Sequence, residues 1–201
     1  QNMSEQSQTK HIFFDMDGVL AKHVEEDYGD SQNYLQPHYY QHREPDERAC
    51  KLFTTLAYDA NPTYTANPNN LQLHILTKLN PDCTISLDWY YDKQKWLTQH
   101  LAPFQLPMSN LIPKGCVSFH ITLDSKVNKA RGILGRNLNG HDILIDDFGD
   151  NLKEWAAAGG TAIKYANPNS QGRAWNGPRI PTTMSAKDIQ QFLYVYLDIQ
   201  S

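Results

Sequence analysis

The chain has 201 residues, 40% of them hydrophobic and 20% charged, which is enough for one ordinary core and unlike a disordered or membrane composition. Its 18 basic and 22 acidic side chains leave a net charge of -4, which speaks against general nucleic-acid binding. No stretch approaches the roughly 20 apolar residues of a membrane helix; Cys50, Cys83 and Cys116 are widely spaced, fit no CxxC pattern and read as free thiols in a reducing compartment, so cytoplasm is the expected location.

Residues 1–9 are polar and are expected to form a disordered tail. The first element, His11 to Leu20, reads HIFFDMDGVL. Ile12, Phe13 and Phe14 have the pattern of a buried strand, and the carboxyl end of such a strand is where open α/β sheets place their chemistry. Asp15 and Asp17 share that mouth, while Gly18 lets the chain peel away. Two anions so close repel unless a cation joins them, and Mg²⁺ suits hard oxygen ligands; the repeating ligands of a calcium loop are missing.

Residues 21–44 are rich in tyrosine and histidine and break the pattern, so they are expected to form a small cap over the site. His38 and His42 can sit one helical turn apart, but no third zinc ligand is evident. Tyr28, Tyr34, Tyr39 and Tyr40 are candidates for stacking on a base. Pro45 is expected to open a helix with a buried stripe of Ala49, Leu52, Phe53, Leu56 and Ala57. An Asn/Pro-rich loop from Asn61 to Asn70 leads to a second strand, Leu71 to Leu76, stopping at Thr77.

Leu87 to Leu101 reads as a helix packing Trp89, Trp96, Leu97 and Leu101 on one side, followed by a linker broken by Pro103, Pro107 and Pro113. Val117, Phe119 and Ile121 alternate as in a strand, and Ser125 caps a helix from Lys126 towards Gly135. DILIDD, Asp142 to Asp147, repeats the opening design of an apolar run delivering two carboxylates. Asn151 to Ala158 is expected as a helix capped by Asp150 and stopped by Gly159 and Gly160, with TAIKY as the next strand. The stretch Asn167 to Ile180 reads as a loop carrying Arg173 and Trp175, and Ser185 with Asp188 resembles a capping box for a last helix holding Ile189, Phe192, Leu193 and Tyr196. The alternation of β and α points to one domain with a mostly parallel sheet and helices on both faces.

Asp15 and Asp17, Thr77, Lys126, and Asp146 with Asp147 follow in that order, each at a predicted strand end or helix start. This constellation resembles the haloacid dehalogenase (HAD) superfamily, with DMDGVL, the threonine of HILTK, the lysine of DSKVNKA and the pair in ILIDD as its motifs I to IV. YDKQKWLTQHLAPF and DILIDDFGDNLKEWAAAGGTAIKY are further similar to the 5'-nucleotidase and 5'(3')-deoxyribonucleotidase group, although Leu123, Asp124 and Ser125 stand where that group usually has threonine, arginine and aspartate. The resemblance implies an α/β, HAD-like Rossmannoid three-layer sandwich, with residues 10–20 and 45–201 as core and 21–44 as cap between motifs I and II.

It also implies a Mg²⁺-dependent phosphomonoester hydrolase. Asp15 is then the nucleophile that forms an aspartyl phosphate, and Asp17 the acid and base. Thr77 and Lys126 serve catalysis, and Thr77, Lys78 and Lys126 bind substrate. Lys126 is preferred to Lys129 because it sits nearer the helix start. Magnesium is expected on Asp15, Asp17 through its backbone carbonyl, Asp146 and Asp147. The expected partner is a small phosphorylated substrate, first a nucleoside monophosphate. The rival readings are a sugar phosphate or nucleic-acid end as substrate, or a phospho-acceptor module without turnover; an acid at Asp17 speaks against the last.

Overall fold

The computed structural model describes residues 8–23, 38–61, 70–79, 86–101, 117–167 and 175–199. Strand β1, Lys10–Phe14, lies mid-sheet, where Ile12, Phe13 and Phe14 are wholly buried. A strand covered on both faces needs an apolar run rather than an alternating one. The others are β2 (Leu71–Lys78), β3 (Val117–Thr122), β4 (Asp142–Asp146), β5 (Thr161–Tyr165) and the short β6 (Arg179–Ile180). All pair in parallel, in the order β3-β2-β1-β4-β5-β6. The chain thus moves outward from β1 to β3 and then returns to β1's other side with β4. That reversal makes the carboxyl ends of β1 and β4 the topological switch point, where such sheets form a crevice.

The helices are α1 (Glu47–Ala60), α2 (Ser86–His100), α3 (Lys126–Leu134), α4 (Gly149–Ala157) and α5 (Ala186–Tyr196). One face of the sheet packs Ile12, Phe14, Leu73 and Ile75 with Leu52 and Leu56 of α1, Trp96 and Leu97 of α2, and Leu193 of α5. The other packs Phe13, Leu76 and Leu144 with Val127 of α3 and Leu152 and Trp155 of α4. The expected three layers are therefore present. None of the described helices is long and apolar enough to cross a membrane.

Local chemistry sets most boundaries. Ser125 and Ser185 cap α3 and α5 by accepting from the amides of Asn128 and Asp188, each at 3.1 Å. Three expectations need correction. Helix α1 opens on Asp46, whose Oδ1 accepts from the Ala49 amide at 2.9 Å; Pro45 pairs with Ala21 just before it. Helix α4 starts at Gly149 with Phe148 in the capping position and no side-chain cap, so Asp150 lies in its first turn, where a carboxylate favours the positive end of the helix dipole. Trp89 leaves the main core and packs with Tyr40 and Leu79.

Of the expected cap, residues 24–37, with Tyr28 and Tyr34, lie outside the described residues. Tyr39–His42 forms a 3-10 helix seated on α2, and His38 pairs with Asp92 at 3.1 Å, not with His42. The loop at 62–69, the linker at 102–116, Cys83, Cys116 and Arg173 also lie outside. Cys50 is a half-buried free thiol that burial, then Asp46, pushes up to about 12. Trp175 is nearly buried and donates to the Pro178 carbonyl at 2.8 Å, which makes it part of the core face of α4.

Beneath α3 the sheet carries a polar row. His11 Nδ1 lies 2.9 Å from His74 Nε2, His74 Nδ1 lies 2.5 Å from Ser118 Oγ, and Ser118 Oγ lies 2.7 Å from His120 Nε2. Strand register brings these groups together, since His74 faces both Phe13 and Ser118 while His120 faces Leu76.

Candidate active site

The four expected segments meet at the switch point. Asp15 follows β1 and Asp146 ends β4, and the amide of Asp15 donates to the Ile145 carbonyl at 2.9 Å, which stitches the two strand ends together. Lys126 opens α3 and is buried. Its Nζ lies 2.8 Å from Asp15 Oδ1 and 2.7 Å from Asp146 Oδ2. Lys129, half-buried on the same helix, adds its charge to the burial that lowers His120.

Each carboxylate is held in a distinct way. Asp15 Oδ1 accepts from the Met16 amide at 2.9 Å. Asp146 accepts from the Phe148 amide at 2.9 Å and from Asn151 Nδ2 at 3.0 Å. Asp147 lies 3.4 Å from His23 Nε2, and His23 in turn meets Arg43 through Nδ1 at 3.0 Å. Arg43 is buried and donates to Tyr39 Oη at 2.7 Å, which ties Asp147 to the start and end of the 21–44 insertion. Gly18 has φ at 85°, and a Cβ there would overlap the Asp147 carboxylate. The glycine of DMDG thus permits both the turn and the close approach.

Asp15, Asp146 and Asp147 bring their carboxylate oxygens within 4.8 Å of one another and form the one such group of three among the described residues. Crowding has an electrostatic cost. Burial and then the Asp146 charge push Asp15 well above the usual carboxylate range, against the pull of Lys126. Burial also raises Asp147, opposed by its hydrogen bond with His23. Burial alone would lower Lys126, but Asp146 and Asp15 outweigh it and hold the ammonium charged. Three hard oxygen donors that repel one another are the donor set a small divalent cation takes. Mg²⁺ fits these residues.

Asp17 behaves differently. Its side chain is bonded to Lys93 of α2, whose Nζ lies 2.6 Å from Asp17 Oδ2 and 2.6 Å from Thr77 Oγ1. Burial alone would raise Asp17, yet Lys93, then Arg43, hold it below the usual range. Thr77 is wholly buried near the end of β2, and Lys78 beside it is exposed. Sequence reasoning missed Lys93. In YDKQKWL it reads as one more lysine on an amphipathic helix, next to Lys95, and only the passage of α2 over the ends of β1 and β2 gives it a place.

No protein-family model and no curated protein matches the sequence. Solved structures do match the fold. A D,D-heptose 1,7-bisphosphate phosphatase from B. bronchiseptica, complexed with magnesium and phosphate, is 15% identical, with a TM-score of 0.58 over 92% of this chain and 98% of that one. The enzyme of the same name from Burkholderia thailandensis is 10% identical, with a TM-score of 0.57 over 91% and 97%. A HAD-superfamily hydrolase from Ehrlichia chaffeensis is 12% identical, with a TM-score of 0.52 over 96% and 100%. At such identities the likeness concerns architecture, and by architecture this chain is a Rossmann-like α/β protein with the fold of these three structures.

Proposed function

We propose that the protein is a Mg²⁺-dependent phosphomonoester hydrolase of the HAD type. The observation that carries this reading is the buried lysine, Lys126, bonded to both Asp15 and Asp146 beside a third carboxylate at the switch point. Asp15 is the nucleophile. Its carboxylate attacks phosphorus as the bond to the leaving oxygen breaks, giving an aspartyl phosphate that water then hydrolyses. Asp17 gives a proton to the leaving oxygen and takes one from the water. Lys126 and the Thr77 hydroxyl receive phosphoryl oxygens, with Lys78 at the rim. Asp15, Asp146 and Asp147, with the backbone carbonyl of Asp17, hold the magnesium ion, which neutralises and orients the phosphoryl group when bound.

The leaving group is a sugar or a nucleoside. The fold neighbours named for a heptose bisphosphate favour a sugar phosphate, while the buried Tyr40 and Trp89 pack against each other and leave only the half-buried Tyr39 of this cluster to meet a base. The insertion at 21–44 is the cap that chooses between them. Phosphate release with Mg²⁺ from a panel of sugar phosphates, deoxynucleotides and ribonucleotides tests both levels. Release from no monoester by the wild type, with release unaltered by EDTA as a second adverse result, would remove the reading.

A further inference from the structure

We infer that Lys93 is a positioning residue that assigns different tasks to the two oxygens of Asp17; this rests on the phosphatase reading. Lys93 is wholly buried on α2. Its ammonium binds Asp17 Oδ2 and Thr77 Oγ1, each at 2.6 Å, and lies 4.5 Å from the centre of the Tyr40 ring. Two N–H donors and an aromatic face account for its surroundings, so the group is fixed rather than free to follow a ligand.

The other Asp17 oxygen is in the opposite situation. Oδ1 is buried and has no hydrogen-bond partner, a state it shares among the described side chains with one oxygen of Asp92. A buried carboxylate oxygen without a donor is costly and calls for an explanation. Lys93 explains it. By anchoring Oδ2 the ammonium stops the carboxylate from rotating, and Oδ1 is the atom left to exchange a proton with the substrate. Once bound, the dianionic ester sets negative charge beside Oδ1 and raises its affinity for a proton against the pull of Lys93 and Arg43; in the first step that proton passes to the leaving oxygen as that oxygen's bond to phosphorus breaks and the Asp15–phosphorus bond forms. In the second, water gives its proton to Oδ1 while its oxygen bonds phosphorus and the bond to Asp15 breaks. Because Lys93 also spans to Thr77 and lies against Tyr40, the same ammonium links this orientation to the phosphoryl-binding hydroxyl and to the edge of the insertion.

A leaving group that departs well without a proton reports on this role. The test compares kcat/KM for p-nitrophenyl phosphate and for glycerol 2-phosphate, with saturating Mg²⁺, in wild type, Lys93→Met and Lys93→Gln. Loss of aimed proton transfer predicts a fall of about 100-fold or more for the alkyl ester and less than about 10-fold for the aryl ester. In an Asp17→Asn background the Lys93 changes then cost little more. Equal falls on both esters, or none on either, would overturn the inference while the phosphatase reading stands; a wild type that releases phosphate from neither ester nor from any sugar phosphate or nucleotide of the panel would instead remove that reading. Thermal melting of both variants identifies one that has lost its fold, and the pair of substitutions leaves the comparison with the better folded of the two.

Discussion

The carboxylate of Asp147 fills the space that a Cβ on Gly18 would need, and Gly18 yields it from a backbone conformation with φ at 85°. The turn after the first aspartate and the second acidic motif are therefore one fitted unit, although 129 positions separate them (147 − 18).

Replacing Gly18 with alanine tests that fit. Left-handed backbone costs a residue with a Cβ roughly 1–2 kcal/mol, and the overlap displaces Asp147 as well. Gly18→Ala is expected to melt several degrees lower and to need more Mg²⁺ for the same thermal shift. A variant with an unchanged Mg²⁺ titration would dissociate the glycine from the metal site.

The repulsion among Asp15, Asp146 and Asp147 is relieved by a bound cation. Saturating Mg²⁺ is expected to raise the melting temperature over that in EDTA; at a hundredfold excess over Kd the linkage is about 2.7 kcal/mol, or roughly 5–10 °C for a domain of this size. Asp15→Asn keeps the fold, because Lys126 retains Asp146, but loses most of that shift together with turnover. An undiminished shift in this variant would take Asp15 out of the metal site.

The histidine row has a signed pH dependence. Burial, then the His11 and His120 rings, lower His74 from 6.5 to about 3. The unfolded chain therefore binds a proton between those values that the folded chain refuses. The stability linked to His74 is full above pH 6.5 and is lost as pH falls, by up to about 1.4 kcal/mol per unit. His11 and His120 are lowered by burial and act in the same sense, whereas the raised Asp15 and Asp147 act in the other. The informative quantity is the difference between wild type and His74→Gln in melting temperature from pH 7 to pH 4.5. Wild type should lose stability more steeply; equal slopes would show that the row does not titrate as its burial requires.

Much of the site was legible because its chemistry is written locally. In DMDG and ILIDD an apolar run, a pair of carboxylates and a turn residue stand side by side, and Ser125 announces both a helix start and the lysine after it. Thr77 was legible only as a strand end. Asp150, expected as a cap, lies in the first turn instead, because the helix begins two residues earlier than expected, at Gly149. The two-residue strand β6 escaped notice because so short a run carries no periodicity.

The sequence by itself determined the layers, the parallel order implied by alternating elements and the presence of two acidic strand ends, since hydrophobic period and capping act over a few residues. Tertiary structure alone decided that Lys126 lies between Asp15 and Asp146, that Lys93 rather than solvent faces Asp17, and that three distant histidines form one hydrogen-bonded row. The physical reason is that a buried charge or imidazole takes its partner from whichever strand or helix packs against it, and strand register and helix placement belong to the whole chain.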